Sequence, residues 1–237
     1  KYIESEVLSA EQRKRCHFFG IYFWKLLSQD GFRDAERAHR NVRNWTRDID
    51  IFDKDFIFVP IGEDLHWTLA IICSPRGIKN IDKHQRVVRT DDGKIYTIMY
   101  MDSMNGFKMN VLSLLTDYLR VEWKLRKPEE QDERVEVDDE GMSDDELPRK
   151  KLYNGRNVQV PQQDNSCDCG VFVLEYIERF AKKFTAADAP EINRWTDPES
   201  KQWFKKSDVK TKRVEIMELL KSLNVRYKRQ LQGGCAD

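Results

Sequence analysis

VPQQDNSCDCGVF, residues Val160 to Phe172, runs directly into VLEYIERFAKKF, which ends at Phe184, and this stretch decides how the chain is built. From Gly170 onward its first turns are apolar nearly all round, the mark of a helix inserted into a core rather than laid on a surface. Asp164, Asn165 and Ser166 just before it cap and turn well. Cys169 therefore falls at the start of a core helix. A thiol there meets unpaired backbone N–H groups and the positive end of the helix dipole, and both favour the thiolate, the nucleophile of cysteine chemistry. The plain alternative is a small buried core residue, which is where most free cysteines sit. A helix start beside Gly170 shifts the balance toward function.

Working outward, DFIFVPI (Asp55 to Ile61) and WTLAIIC (Trp67 to Cys73) are apolar and β-branched and predict two strands joined by a turn at Gly62-Glu63-Asp64. A third apolar run, KIYTIMYMD from Lys94 to Asp102, predicts another buried strand, and the polar segment Pro75 to Gly93 before it reads as an excursion. Helices are predicted over Ser9 to Leu27, with Ser9 and Gln12 as a capping pair, over Asn110 to Trp123, and over Lys210 to Arg229, the last one basic and amphipathic. Between Glu129 and Glu146 there are eleven acidic residues and one Arg. That stretch carries −10 while the whole chain is neutral, so the remainder carries +10 and this segment reads as an acidic loop. Strands with one core helix and flanking helices predict an α+β domain with a central mixed sheet.

Two further residues gain meaning from the predicted strands. His66 opens the strand that continues with Trp67, and Asp102 closes the strand from Lys94, where a buried carboxylate needs a partner. If those strands are neighbours, His66 and Asp102 meet, and with Cys169 they form a relay in which imidazole takes the thiol proton and the carboxylate fixes its tautomer. Gln163, six residues before Cys169, is placed to donate its amide to a developing oxyanion. A lone histidine is more often a structural residue; the company of Asp102 and Cys169 is what raises His66.

The order His-Trp, then Asp-Ser, then Gln followed by Asp-Cys-Gly resembles the Ulp/SENP family of SUMO-specific cysteine proteases. The resemblance implies a papain-like, Ulp-type fold. It also implies that His66, Asp102 and Cys169 form the catalytic triad, with Gln163 as the oxyanion residue and Trp67 over the substrate's terminal Gly-Gly in a narrow tunnel. NVRNWTRDIDIFDKDFIFVPI (Asn41 to Ile61) and SDVKTKRVEIMELL (Ser207 to Leu220) resemble the divergent branch associated with trimming poly-SUMO chains. That branch carries loops inside its catalytic domain, as expected here near 75–93 and 124–157. The implied partners are SUMO, SUMO-conjugated proteins and poly-SUMO chains, and the implied place is the nucleus. Cys167 stands where the family has serine; Ser-to-Cys drift is the plain reading of it, and a resolving thiol for Cys169 the functional one. The family's catalytic domain begins with a segment that lines the tunnel, and the start at KYIESEVL predicts an N-terminally shortened single domain over 1–237.

Composition narrows the classes further. Forty-one basic against forty-one acidic residues argue against a protein held on nucleic acid by counterion release. No apolar run approaches the eighteen or so residues of a membrane span. Twenty-six aromatic residues exclude a disordered chain. Five scattered cysteines and four histidines without zinc-like spacing predict a reducing compartment, no metal and no cofactor. A monomer is expected. The functions left are cleavage after Gly-Gly of SUMO, the same chemistry on another ubiquitin-like modifier, and an acyltransferase using the same triad. A non-catalytic SUMO-binding domain is disfavoured by the presence of all four chemical residues.

Overall fold

The computed structural model describes residues 2–31, 34–80, 96–131, 155–184 and 200–233. A single mixed sheet runs in the order β1-β2-β3-β4-β5. Its strands are β1 (Cys16–Phe18), β2 (Phe56–Glu63), β3 (His66–Cys73), β4 (Thr97–Met101) and β5 (Gly155–Asn157). The β2-β3 and β3-β4 pairs are antiparallel, and the two outer pairs are parallel. Side chains alternate across a strand, so each apolar run serves two cores. Ile57, Val59, Ile61, Ala70, Ile72 and Ile98 pack on one face with helices α2 (Tyr22–Gly31), α3 (Ala35–Val42) and α4 (Met109–Arg126). Phe56, Phe58, Leu69, Ile71, Met99 and Met101 pack on the other face against α5 (Cys169–Phe184), where Phe172, Tyr176 and Phe180 are buried. A sheet covered on both faces needs continuous apolar strands, which is the character their sequences have. The long helix α6 (Lys206–Gly233) follows, with Val209 buried against the α5 side.

The helix expected over Ser9 to Leu27 is corrected. Its capping box is present, since Ser9 and Gln12 exchange side-chain and backbone bonds, but α1 (Ala10–Lys14) is only one turn long. Cys16 to Phe18 then pairs with Phe56 to Phe58 as an edge strand, and Phe18 stacks on Phe58 at 4.5 Å. Phe18 packs on one face of the sheet and Phe19 is buried on the other. A helix would put these aromatics on one cylinder, whereas the strand gives each its own core, and burial outweighs a local helical preference of a few tenths of a kcal/mol per residue. Strand β5 was not expected either: its sequence, Gly-Arg-Asn, has no apolar signal and pairs only because β4 offers an edge. Of the expected excursion 124–157, Lys124 to Arg126 complete α4 and 155–157 lie in the sheet. The expected acidic loop from residue 132 on, and residues 81–95, lie outside the described residues.

The β2-β3 turn also sits two residues later than expected. Glu63 pairs with His66, leaving Asp64 and Leu65 as a two-residue loop with φ of 52° and 62°. Two consecutive left-handed residues make a type I′ hairpin, whose twist suits the strands but which favours Asn-Gly. Leu65 is fully exposed at 102% and gains no packing in return for its strained backbone. Leu65→Gly is expected to stabilise the protein by about 1 kcal/mol, read as a rise in the denaturant midpoint at unchanged m-value.

One buried polar cluster ties the helical layer together. His39 on α3 and Glu122 on α4 are 3% and 2% exposed and bonded to each other, and Thr46 Oγ1 donates to Glu122 at 2.7 Å. Arg126 also reaches Glu122. Burial works against the carboxylate, but the His39 and Thr46 hydrogen bonds and the Arg126 charge offset it, and Glu122 is held below its ordinary value. Its stabilising share is therefore present above the ordinary carboxylate range and lost as pH falls through the lowered value. Glu122→Ala is expected to cost roughly 3 kcal/mol or more at neutral pH, with a smaller difference from the parent protein in melts at acid pH. This histidine is a satisfied core residue, the structural fate that His66 does not share.

Candidate active site

β3 and β4 being neighbours brings the two expected partners together. His66 Nε2 donates to Asp102 Oδ1 at 2.6 Å. Asp102 directly follows β4 and is only 5% exposed, so its charge must be met by donors. The turn that follows supplies them: Met104 N–H donates to Oδ1 at 2.8 Å and Gly106 N–H to Oδ2 at 3.1 Å. A Cβ at Gly106 would stand 2.4 Å from Asp102 Oδ2, so only glycine lets the backbone come this close. With Nε2 committed to the carboxylate, the neutral imidazole carries its proton there and Nδ1 is left as the basic nitrogen.

Cys169 is the first residue of α5 and is 5% exposed. The first N–H groups of a helix have no intrahelical acceptor, so its own N–H and the helix dipole both face the sulfur's surroundings. Trp67, next to His66, lies against the same turn: a Cβ at Gly170 would be 3.7 Å from the indole. Gly62, across the hairpin from Trp67, gives the ring its seat, since a Cβ there would stand 3.0 Å from the indole. The other described cysteines differ. Burial pushes the Cys16 thiol up to about 12 and Cys73 higher still, which disfavours a thiolate at either position. Cys167 is exposed, and Cys235 lies outside the described residues.

Gln163 is held from two sides by Ser103. Its N–H donates to Ser103 O at 2.9 Å, and its side-chain oxygen accepts from the Ser103 hydroxyl at 2.5 Å. That orientation leaves the amide nitrogen as donor: one of its two hydrogens goes to Asn165 O, and the second meets no acceptor among the described residues. Gln162 fastens the same loop to the acid by donating to Asp102 O at 3.1 Å. Asn165 Oδ1 accepts from the N–H groups of Cys167 and Asp168, both at 3.0 Å, and so winds the loop into the start of α5. Between the Ser103–Met104 turn and residues Gln162 to Ser166 is an open cleft of about 380 Å³ that reaches Gln163. Asn165 turns the loop as its place before the helix led one to expect, whereas sequence reading missed Ser103, Gly106 and Gly62 as supports. Only Gly106 and Gly62 had a local signal, as glycines flanking the two strand ends.

Residues 1–217 match the model of the Ulp1 protease family, C-terminal catalytic domain. The chain belongs to that family. It is 32% identical to the ubiquitin-like-specific protease 1C of Arabidopsis thaliana over 94% of this chain and 36% of that protein. Human sentrin-specific protease 7 is 30% identical over 97% of this chain and 25% of its own length. The chain thus spans about a quarter to a third of these relatives. A solved structure described as a de-sumoylating protease shares the fold, with a TM-score of 0.65 at 20% identity over 98% of this chain and 78% of that one. No helix among the described residues is long and apolar enough to cross a membrane.

Proposed function

We propose that this family member is a SUMO-specific isopeptidase that cleaves after the C-terminal Gly-Gly of SUMO in conjugates and poly-SUMO chains, working as a monomer in the nucleus. The His66–Asp102 bond beside a helix that starts on Cys169 carries the reading. In this mechanism His66 Nδ1 takes the thiol proton, and the thiolate attacks the carbonyl carbon of the last glycine. The oxyanion is held by the free amide hydrogen of Gln163 and the Cys169 N–H. Imidazolium then protonates the departing lysine amine, leaving a thioester, and neutral His66 activates the water that hydrolyses it. Trp67 selects glycine because only a strand without side chains passes beneath its ring. The cleft beside Gln163 gives the leaving lysine room. The chain acts as one catalytic domain with inserts near 75–93 and 124–157.

Reaction with a SUMO C-terminal propargyl probe, set beside matched probes of other ubiquitin-like modifiers, tests the reading. Labelling of Cys169 by SUMO alone is expected; labelling only by another modifier transfers the chemistry to that modifier, and none by any of them together with hydrolysis of a small acyl thioester favours the acyltransferase.

Gln163→Ala is expected to lower kcat by about a hundredfold, roughly 3 kcal/mol, with KM little changed, because an oxyanion donor acts in the transition state. Steady-state hydrolysis of a SUMO-fluorophore conjugate measures the split.

A further inference from the structure

The nucleophile loop is gripped from outside by α6. Lys206 Nζ pairs with Asp164 Oδ2 at 2.9 Å, and Arg213 Nε with Asp168 Oδ1 at 2.7 Å. A second guanidinium nitrogen of Arg213 also reaches Asp168 Oδ1, and it donates to Cys167 O at 3.2 Å. Asp168 is the residue before Cys169, and its own carbonyl accepts the first bonds of α5 from Val171 at 2.8 Å and Phe172 at 3.0 Å. Any tilt of residue 168 is therefore a tilt of the helix start. We propose that Arg213 is a positioning residue for Cys169: by neutralising and clasping the Asp168 carboxylate it keeps the field at the start of α5 favourable to a thiolate and keeps the Cys169 N–H aimed at the reacting carbonyl. This rests on Cys169 being the nucleophile.

Two observations separate this from a merely stabilising pair. Arg213 is half exposed, and exposed ion pairs contribute little to stability. The carboxylate it meets is adjacent in sequence to the sulfur, where an unneutralised negative charge opposes a second one. Hydrogen bonding from Asn165, then Arg213, holds Asp168 below its ordinary range, so the carboxylate is charged at any working pH and the compensation is always needed. The charged and titratable groups toward the start of α5 are His66 from β3, Asp102 after β4, Asp164, Cys167 and Asp168 from the loop, and Lys206 and Arg213 from α6, with the Cys167 thiol itself 4.0 Å from the Arg213 guanidinium, which is why the test removes it. Among these Arg213 is the cation placed on Asp168.

The test is the pH profile of iodoacetamide alkylation of Cys169, followed by mass spectrometry in a Cys167→Ser background, beside kcat and KM on a SUMO-fluorophore conjugate. Arg213→Gln is expected to raise the alkylation midpoint by roughly one pH unit and to lower kcat about tenfold with little change in KM or melting temperature. Arg213→Lys, which keeps the charge, should restore the midpoint. Asp168→Asn should lower it, and adding Arg213→Gln to Asp168→Asn should do far less than in the parent. An unchanged midpoint in Arg213→Gln overturns the proposal whatever Asp168→Asn does, as does a fall in melting temperature with no change in profile. Alkylation needs no modifier, so a shifted midpoint without SUMO cleavage would sink the function and spare Arg213, and SUMO cleavage with an unshifted midpoint would do the opposite.

Discussion

Cys169→Ser is expected to lose cleavage by at least about 10⁴-fold while SUMO still binds, because serine keeps nearly the volume of the thiol at a site only 5% exposed but offers His66 a hydroxyl that it barely ionises. The helix start that helps a thiolate cannot do as much for an alcohol some seven units less acidic. Calorimetric titration with SUMO and single-turnover cleavage on the same preparation measure the two halves of the expectation. Cys167→Ser should be nearly silent in both, since that thiol is exposed and, among the described residues, its hydrogen-bond contacts are to Asn165 and the edge of Arg213. Turnover surviving in the Cys169 variant, or lost in the Cys167 variant, would mean that the wrong sulfur has been assigned.

Asp102→Asn should cost roughly 10³-fold or more in kcat, despite near-identical shape. Asp102 accepts from three donors: His66 Nε2, the Met104 N–H and the Gly106 N–H. An amide has one oxygen, so its NH₂ must face either the Gly106 N–H, in place of Oδ2, or both the imidazole and the Met104 N–H, in place of Oδ1. Facing the imidazole, it forces the proton from Nε2 to Nδ1, and the nitrogen needed as base is then occupied. Facing Gly106, it pushes apart the turn that carries Ser103, and through Ser103 it disturbs Gln163, the proposed oxyanion donor. The pH profile of kcat should lose its acid limb or shift it strongly, while SUMO affinity changes little. Undiminished kcat would remove Asp102 from the relay and leave the 2.6 Å bond as a structural one.

How much of this was legible beforehand can be traced residue by residue. The strand from Trp67 to Cys73, the strand ending on Asp102 and the core helix behind Cys169 are long apolar runs whose burial is decided by their own composition, and each stands within a few residues of its expected place. The Ser9–Gln12 capping box is equally local, because both partners lie within one turn. Family membership also followed from the motifs, because a cysteine behind a capped turn, a strand-leading histidine and a strand-ending acid are each readable in short stretches.

What the sequence could not decide was everything that depends on a partner distant in the chain. Cys16 to Phe18 reads as helix alone and becomes a strand because β2 offers hydrogen bonds and two apolar faces forty residues later. Gly155 to Asn157 has no strand character and is drawn into the sheet by the free edge of β4. The grip of Ser103 on Gln163 and the clasp of Arg213 on Asp168 join residues that no local periodicity connects. Short-range spacing records which side chains want burial or caps. Which groups finally touch is set by the free energy of pairing and packing across the whole sheet, and that sum exists only once the chain has closed on itself.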